Sequence, residues 1–305
     1  MILKKAIQGF VVLAFPAVLF VACGSPEKPD SAITDTEVTQ EDVAGDANEN
    51  VNKVQDIFYS VPSPMEMASL LKKAGAEYDM SLLNDVKKVN DYTTSRSQAL
   101  NLGIYGANLS YASIFNQNQE SIIYLSCTKK LAEKLGVTKA FDDETIERME
   151  ANIENRDSLL NIVSETYYML DAYLKENDRD HISAMVIAAG WVEGLYMATS
   201  IAKKSETPDE KLLHRIAEQK ISLQNLVELV EAYNTTGQLD EIQADLEKIN
   251  NAYSQVSLEK SKATMSEGED GVAIIGGGSK NPGMSSETLQ NITKVVSEIR
   301  SNYVS

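Results

Sequence analysis

The chain is 305 residues long and carries 45 Asp and Glu against 28 Lys and Arg, a formal charge of −17. A surface of that sign repels phosphate backbones and anionic lipid, which argues against nucleic-acid binding and against electrostatic docking on a membrane. Two histidines and two cysteines leave no material for a His-rich metal centre or a disulfide framework, and no cofactor motif stands out.

The chain opens with two positive charges, Lys4 and Lys5, followed by an uncharged run from Ala6 to Ala22. That is the pattern of an export signal. The run ends Leu19-Phe20-Val21-Ala22-Cys23-Gly24, which resembles a bacterial lipobox with Phe20 where leucine is usual. The resemblance implies cleavage after residue 22 and acylation of Cys23. An uncleaved spanning helix needs about 20 apolar residues; Gln8, Gly9 and Pro16 interrupt this shorter run. Cleavage would remove both lysines and take the formal charge to −19. The membrane contact would then come from acyl chains, of which one anchors only marginally and two or three stably. Acylation of Cys23 leaves Cys127 without a partner, and Leu125, Leu131 and Leu135 around it predict a buried thiol.

Residues 24–56 hold nine acidic residues, two lysines and almost no large apolar side chain, so 23–56 is expected to be a lipidated, disordered spacer. Within it, Asp30-Ser31-Ala32 resembles the O-glycosylation motif of Bacteroidota envelope proteins, which makes Ser31 a candidate acceptor. Asp157-Ser158-Leu159 fits the same short pattern, but inside a predicted helix. Gly24 to Lys28 lack the acidic cluster of a surface-export tag, which favours the periplasmic face of the outer membrane.

A helical domain is expected over 57–263. Ser63-Pro64-Met65-Glu66 combines a capping box with proline at the first helical position, and Gly75 is a stop signal. Periodicity predicts further helices at about 95–116, 118–135, 142–177 and 180–204. Thr207-Pro208-Asp209-Glu210 repeats the start signal for a helix reaching toward Gly237, and another is expected at about 238–260. The fold class is all-α, an antiparallel helical bundle or a short helical-hairpin array resembling tetratricopeptide repeats. An echo at an offset of 86 aligns Tyr105, Leu109 and Ala112 with Trp191, Leu195 and Ala198. Both helices are rich in small residues, Gly103, Gly106, Ser110 and Ser113 in one and Ala189, Gly190 and Gly194 in the other, which predicts close axial approach. Residues 264–284 read as a glycine-rich linker, since the order around Ser279-Lys280 is wrong for a phosphate-binding loop. A C-terminal amphipathic helix follows over 285–305, with Leu289, Ile292, Val296 and Ile299 on one face.

Glu193 is the most informative single residue, the only charged side chain between His181 and Lys203. Such a carboxylate reaches water, pairs with an arginine, or sits in a ligand pocket; Arg96 and Arg156 are partners the bundle allows, and Trp191 would line the pocket. Glu210, His214 and Glu218 share a helix face, but the doubled Glu-x-x-His signature of helical di-metal sites is absent. The Gly-x-His-x-x-Glu motif of imelysin-type lipoproteins is absent as well, and His181 follows Asp180 at a helix start, where aspartate is a cap or a first-turn acid. Tyrosines such as Tyr105, Tyr111, Tyr124 and Tyr167 fall at core spacing.

On Cys23 with its lipobox, the acidic spacer, Ser60-Val-Pro-Ser-Pro-Met-Glu-Met-Ala68 and Leu100-Asn-Leu-Gly-Ile-Tyr-Gly-Ala107, the chain resembles uncharacterised helical lipoproteins of Bacteroidota. That resemblance implies no known activity. The expected role is non-enzymatic: a membrane-tethered helical scaffold with an envelope protein as partner, or else a small-molecule or glycan binder at Glu193 and Trp191.

Overall fold

The computed structural model describes residues 61, 63–204, 208–258, 264–267, 273–276 and 283–305. The expected signal peptide and spacer, with Cys23 and Ser31, lie outside the described residues. Among those described the fold is all-α, with nine α-helices packed as a bundle and one short β-hairpin.

Helix α1, Pro64–Lys73, starts on the expected capping box: Glu66 N donates to Ser63 Oγ and Ser63 N to Glu66 Oε2 at 2.7 Å. It stops at Gly75, whose φ of +84° suits glycine. Two unexpected 3-10 helices follow, Met80–Leu82 and Val86–Asn90, each started by an aspartate, Asp79 or Asp85, accepting from the backbone two residues on. Helices α2, Ser95–Ile114, and α3, Asn118–Leu135, form a hairpin.

The single helix expected over 142–177 is two, α4, Asp143–Ala151, and α5, Arg156–Glu176. Asparagines break it. Asn152 turns its amide back onto the Arg148 carbonyl, and Asn155 accepts from Ser158 N, so side chains replace the missing helical bonds. Helix α6 spans Asp180–Lys204 and α7 spans Glu210–Tyr233. The cap of α7 is Asp209, which accepts from Lys211 N and Leu212 N, rather than Thr207. The helix ends short of Gly237 because the Asn234 side chain accepts from Leu239 N and turns the chain into α8, Asp240–Ala252. Strands β1, Thr264–Glu267, and β2, Ala273–Gly276, pair antiparallel within the stretch expected to be plain linker. Helix α9, Ser286–Tyr303, is capped by Ser285.

Helix α6 is the axis of the bundle, packed by α1, α2, α5, α7 and α9. It is long and apolar enough to cross a membrane, but 89% of that stretch is buried inside the protein, which makes it a core helix. Its closest neighbour is α2. Gly103 faces Gly190 so tightly that a Cβ at 103 would overlap the Val186 carbonyl oxygen, while Asn108 bonds Glu193 further along. These contacts advance in the same sense on both helices, so the central pair runs parallel where an antiparallel assembly was expected. The echo at offset 86 falls on this pair. Antiparallel packing returns one step out, in the α2–α3 and α6–α7 hairpins, where Trp191 meets Gln219 and Asp171 joins Ser183 to Tyr233. Because α1 and α9 both close over α6, the two hairpins share one continuous core rather than stacking as an open array.

Candidate functional site

Glu193 sits at the centre of that core, 0% exposed. Its carboxylate is met by Asn108 Nδ2, which donates to Oε1 at 2.7 Å, and by Arg300, which donates from Nε to Oε2 at 2.9 Å and from Nη2 to Oε1 at 3.2 Å. The arginine that meets it is Arg300, where Arg96 had been a candidate. Arg96 pairs with the exposed Glu241 at 2.7 Å, and the Arg156 side chain lies outside the described residues. Arg300 comes from α9, its guanidinium 4.8 Å above the Tyr196 ring and directed at the Leu82 carbonyl. Burial alone would lower the Arg300 pKa, but the adjacent Glu193 carboxylate raises it above its ordinary value.

A polar network extends from this pair. Asn108 Oδ1 accepts from Asn84 N; Asn84 Nδ2 donates to Tyr92 Oη and to Asn101 Oδ1; Asn101 Nδ2 donates to the Tyr303 carbonyl at 2.8 Å. Lys88 Nζ takes the Val304 carbonyl at 2.7 Å. The last carbonyls of α9, which no helical N–H can reach, are thus answered by the 3-10 segment and by α2. The network ties α2, α6, α9 and residues 82–92 into one unit. A trace of it exists in the amino-acid sequence: Asn101 and Asn108 lie seven apart on one face of an apolar helix, and Arg300 follows Val296 by four on the apolar face of α9. Neither signal identifies a partner.

Trp191 is buried beside Glu193 in sequence but turns to another neighbour, its Nε1 donating to Gln219 Oε1 at 3.2 Å. The two candidate ligand residues therefore serve separate contacts within the bundle. A second buried carboxylate, Asp171, repeats the arrangement: it accepts from Ser183 Oγ at 2.7 Å and Tyr233 Oη at 3.3 Å and pairs with Lys175 at 2.9 Å. A small cavity between α2, α3, α4 and α5, lined by Gly106, Thr128, Phe141 and Tyr167 among others, has a free volume of about 10 Å³, that of a single water.

Cys127 is buried, and burial pushes its thiol up to about 11, away from the reactive thiolate. His214 contacts Glu218 at 3.1 Å on an exposed helix face, and among the described residues no group of three or more His, Cys, Asp or Glu is placed to hold a metal ion. His181 is partly buried, which lowers its pKa from 6.5 against the opposing pull of Asp180. Comparison of the chain with protein-family models, curated proteins and solved structures finds no match.

Proposed function

We propose that this protein is an envelope-anchored lipoprotein of the Bacteroidota type, tethered by acyl chains on Cys23 at the periplasmic face of the outer membrane. Its helical body is a non-catalytic scaffold or accessory subunit for another envelope protein. The observation that carries the scaffold reading is that the buried carboxylates are answered by side chains of the protein itself, Glu193 by Asn108 and Arg300, and Asp171 by Ser183, Tyr233 and Lys175. Groups of the kind that bind ligands or move protons are occupied here in holding helices to one another. The alternative, a ligand site at Glu193 and Trp191, requires a ligand to displace Arg300 or Asn108 from one and Gln219 from the other. The tether rests on the lipobox-like run that ends at Cys23.

Affinity isolation of the native protein from solubilised envelope is expected to return one partner in fixed stoichiometry; a protein recovered alone would refute the scaffold role. Thermal-shift measurements against glycans, lipids and metal ions give the opposite control, because a ligand of the folded state must raise the melting temperature. Thiol titration of the denatured protein tests the anchor: one reactive thiol is expected if Cys23 is acylated, two if it is not.

A further inference from the structure

The outer face of α3 presents two isoleucines to solvent, Ile122 at 43% and Ile123 at 46% exposure. Exposed helix positions favour straight-chain polar residues, because a β-branched side chain gives up rotamer freedom in a helix and recovers nothing unless it is buried. Single exposed apolar residues are ordinary. What distinguishes Ile122 is its surroundings. It stands four residues after Asn118 and seven before Lys129, on the same face as both. Asn118 Nδ2 donates to Glu154 Oε1 at 3.1 Å, and Lys129 Nζ pairs with Asp143 Oδ1 at 2.9 Å. Helix α4 therefore runs antiparallel along α3, with Ile122 on the seam between them.

The α4 side of that seam is acidic. Residues 142–154 hold six acids and one base. Asp143, Glu147 and Glu150 recur at four and three, which puts them on one stripe, and all three are exposed, as is Glu154. The stripe is turned toward α3: Asp143 bonds Lys129 and, with Glu133 and Glu150 further off, raises the Lys129 pKa. The single base, Arg148, is turned the other way, onto Glu165 of α5 at 3.0 Å.

We infer that this seam docks a basic amphipathic helix of the envelope partner, an inference that rests on the scaffold reading and gives it a face. Apolar side chains of that helix cover Ile122 and Ile123. Its lysines and arginines stand over Asp143, Glu147 and Glu150, whose spacing a second helix matches turn for turn. Charge selects this occupant. The same acids repel an anionic membrane and a second copy of this chain, itself at −17.

The test is photo-crosslinking of the full chain in the native envelope, with a photoreactive amino acid in place of Ile122 or, as a control, of Ile221, which is 54% exposed on α7. Mass spectrometry then reads the peptide joined to each position. Position 122 is expected to give one protein adduct whose joined peptide is net positive with apolar residues at helical spacing, and position 221 none. Glu147→Lys with Glu150→Lys should cut the 122 adduct roughly tenfold, since two attractions become repulsions. The same charge change at the exposed Glu228 and Glu231 of α7 should leave it within about twofold. An acidic or neutral joined peptide, a lipid adduct or a second copy of this chain at 122 overturns the inference. So does a yield that the α4 changes leave intact or that the α7 changes lower equally. No adduct from 122, with a stoichiometric partner still recovered by affinity isolation, overturns this face and leaves the scaffold role standing; a protein recovered alone overturns both.

Discussion

Removing Arg300 is the sharpest perturbation of the buried network. Its guanidinium supplies both bonds that neutralise Glu193, at 2.9 and 3.2 Å, and its side chain is 13% exposed while the carboxylate is fully enclosed. Arg300→Met keeps most of the apolar stem and leaves Glu193 with Asn108 alone, a neutral donor. Stripping one partner from a buried ion pair destabilises by about 3–5 kcal/mol, because the remaining charge keeps its desolvation penalty without its attraction. For a body of this size that is a fall in melting temperature of roughly 6–20 °C.

The double variant Glu193→Gln with Arg300→Met separates the pair from the position. The introduced amide still accepts from Asn108 but has no charge to bury, so the double variant should recover at least half of what the single variant lost. Urea unfolding followed by far-ultraviolet circular dichroism measures both. A single variant within about 1 kcal/mol of the parent would refute the reasoning.

The parallel contact of α2 and α6 gives a second pair of outcomes: Gly103→Ala forces backbone against backbone at Val186 and Gly190 and should destabilise by about 1–3 kcal/mol. Gly194→Ala would bring a Cβ to ordinary van der Waals distance of the Met67 side chain, 3.4 Å at the nearest, and should be neutral or better by thermal melting. Cys127 should resist a disulfide reagent at mildly alkaline pH in the folded protein and react fully in denaturant, since burial holds the thiol at about 11. For pH, the His181 pKa is lowered by burial, so the unfolded chain binds more protons just below pH 6.5; that contribution is complete above 6.5 and lost as pH falls toward the folded value. His181→Gln should flatten the urea midpoint across that window. Asp79, held below 3.8 first by Lys204 and then by Ser81, adds stability that is complete above 3.8 and lost as pH falls through its folded value, and Asp79→Asn should remove that acid limb.

Much of the helical layout was legible because its signals are local. The capping box at Ser63 and the stop at Gly75 each act within a turn of the residue that carries them. Small residues at Gly103 and Gly190 announced a close approach, and the structure supplies one. What stayed hidden depends on partners distant in sequence. Glu193 was conspicuous, but Arg300 lies 107 positions away, and nothing near either residue names the other. The same distance concealed the direction of α2 against α6. The break at Asn152 to Asn155 was missed for a different reason: apolar periodicity continues across it, and only side-chain capping ends one helix and starts the next.

The buried polar groups also explain how α9 finds one seat rather than several. Its apolar face, Leu289, Ile292, Val296, Ile299 and Tyr303, repeats at three and four, so a slide of one turn exchanges one apolar side chain for another at little loss. Apolar burial is non-directional and does not choose among such registers. The polar groups do. A slide of four residues would bring Val296 or Val304 to the place of Arg300, leaving the Glu193 charge enclosed without a counterion, and would take the Tyr303 and Val304 carbonyls away from Asn101 and Lys88. Each such loss exceeds the difference between two aliphatic contacts. Helix α9 is thereby held in a single register, and the lock includes Glu193, the residue that, seen in the sequence alone, suggested a ligand.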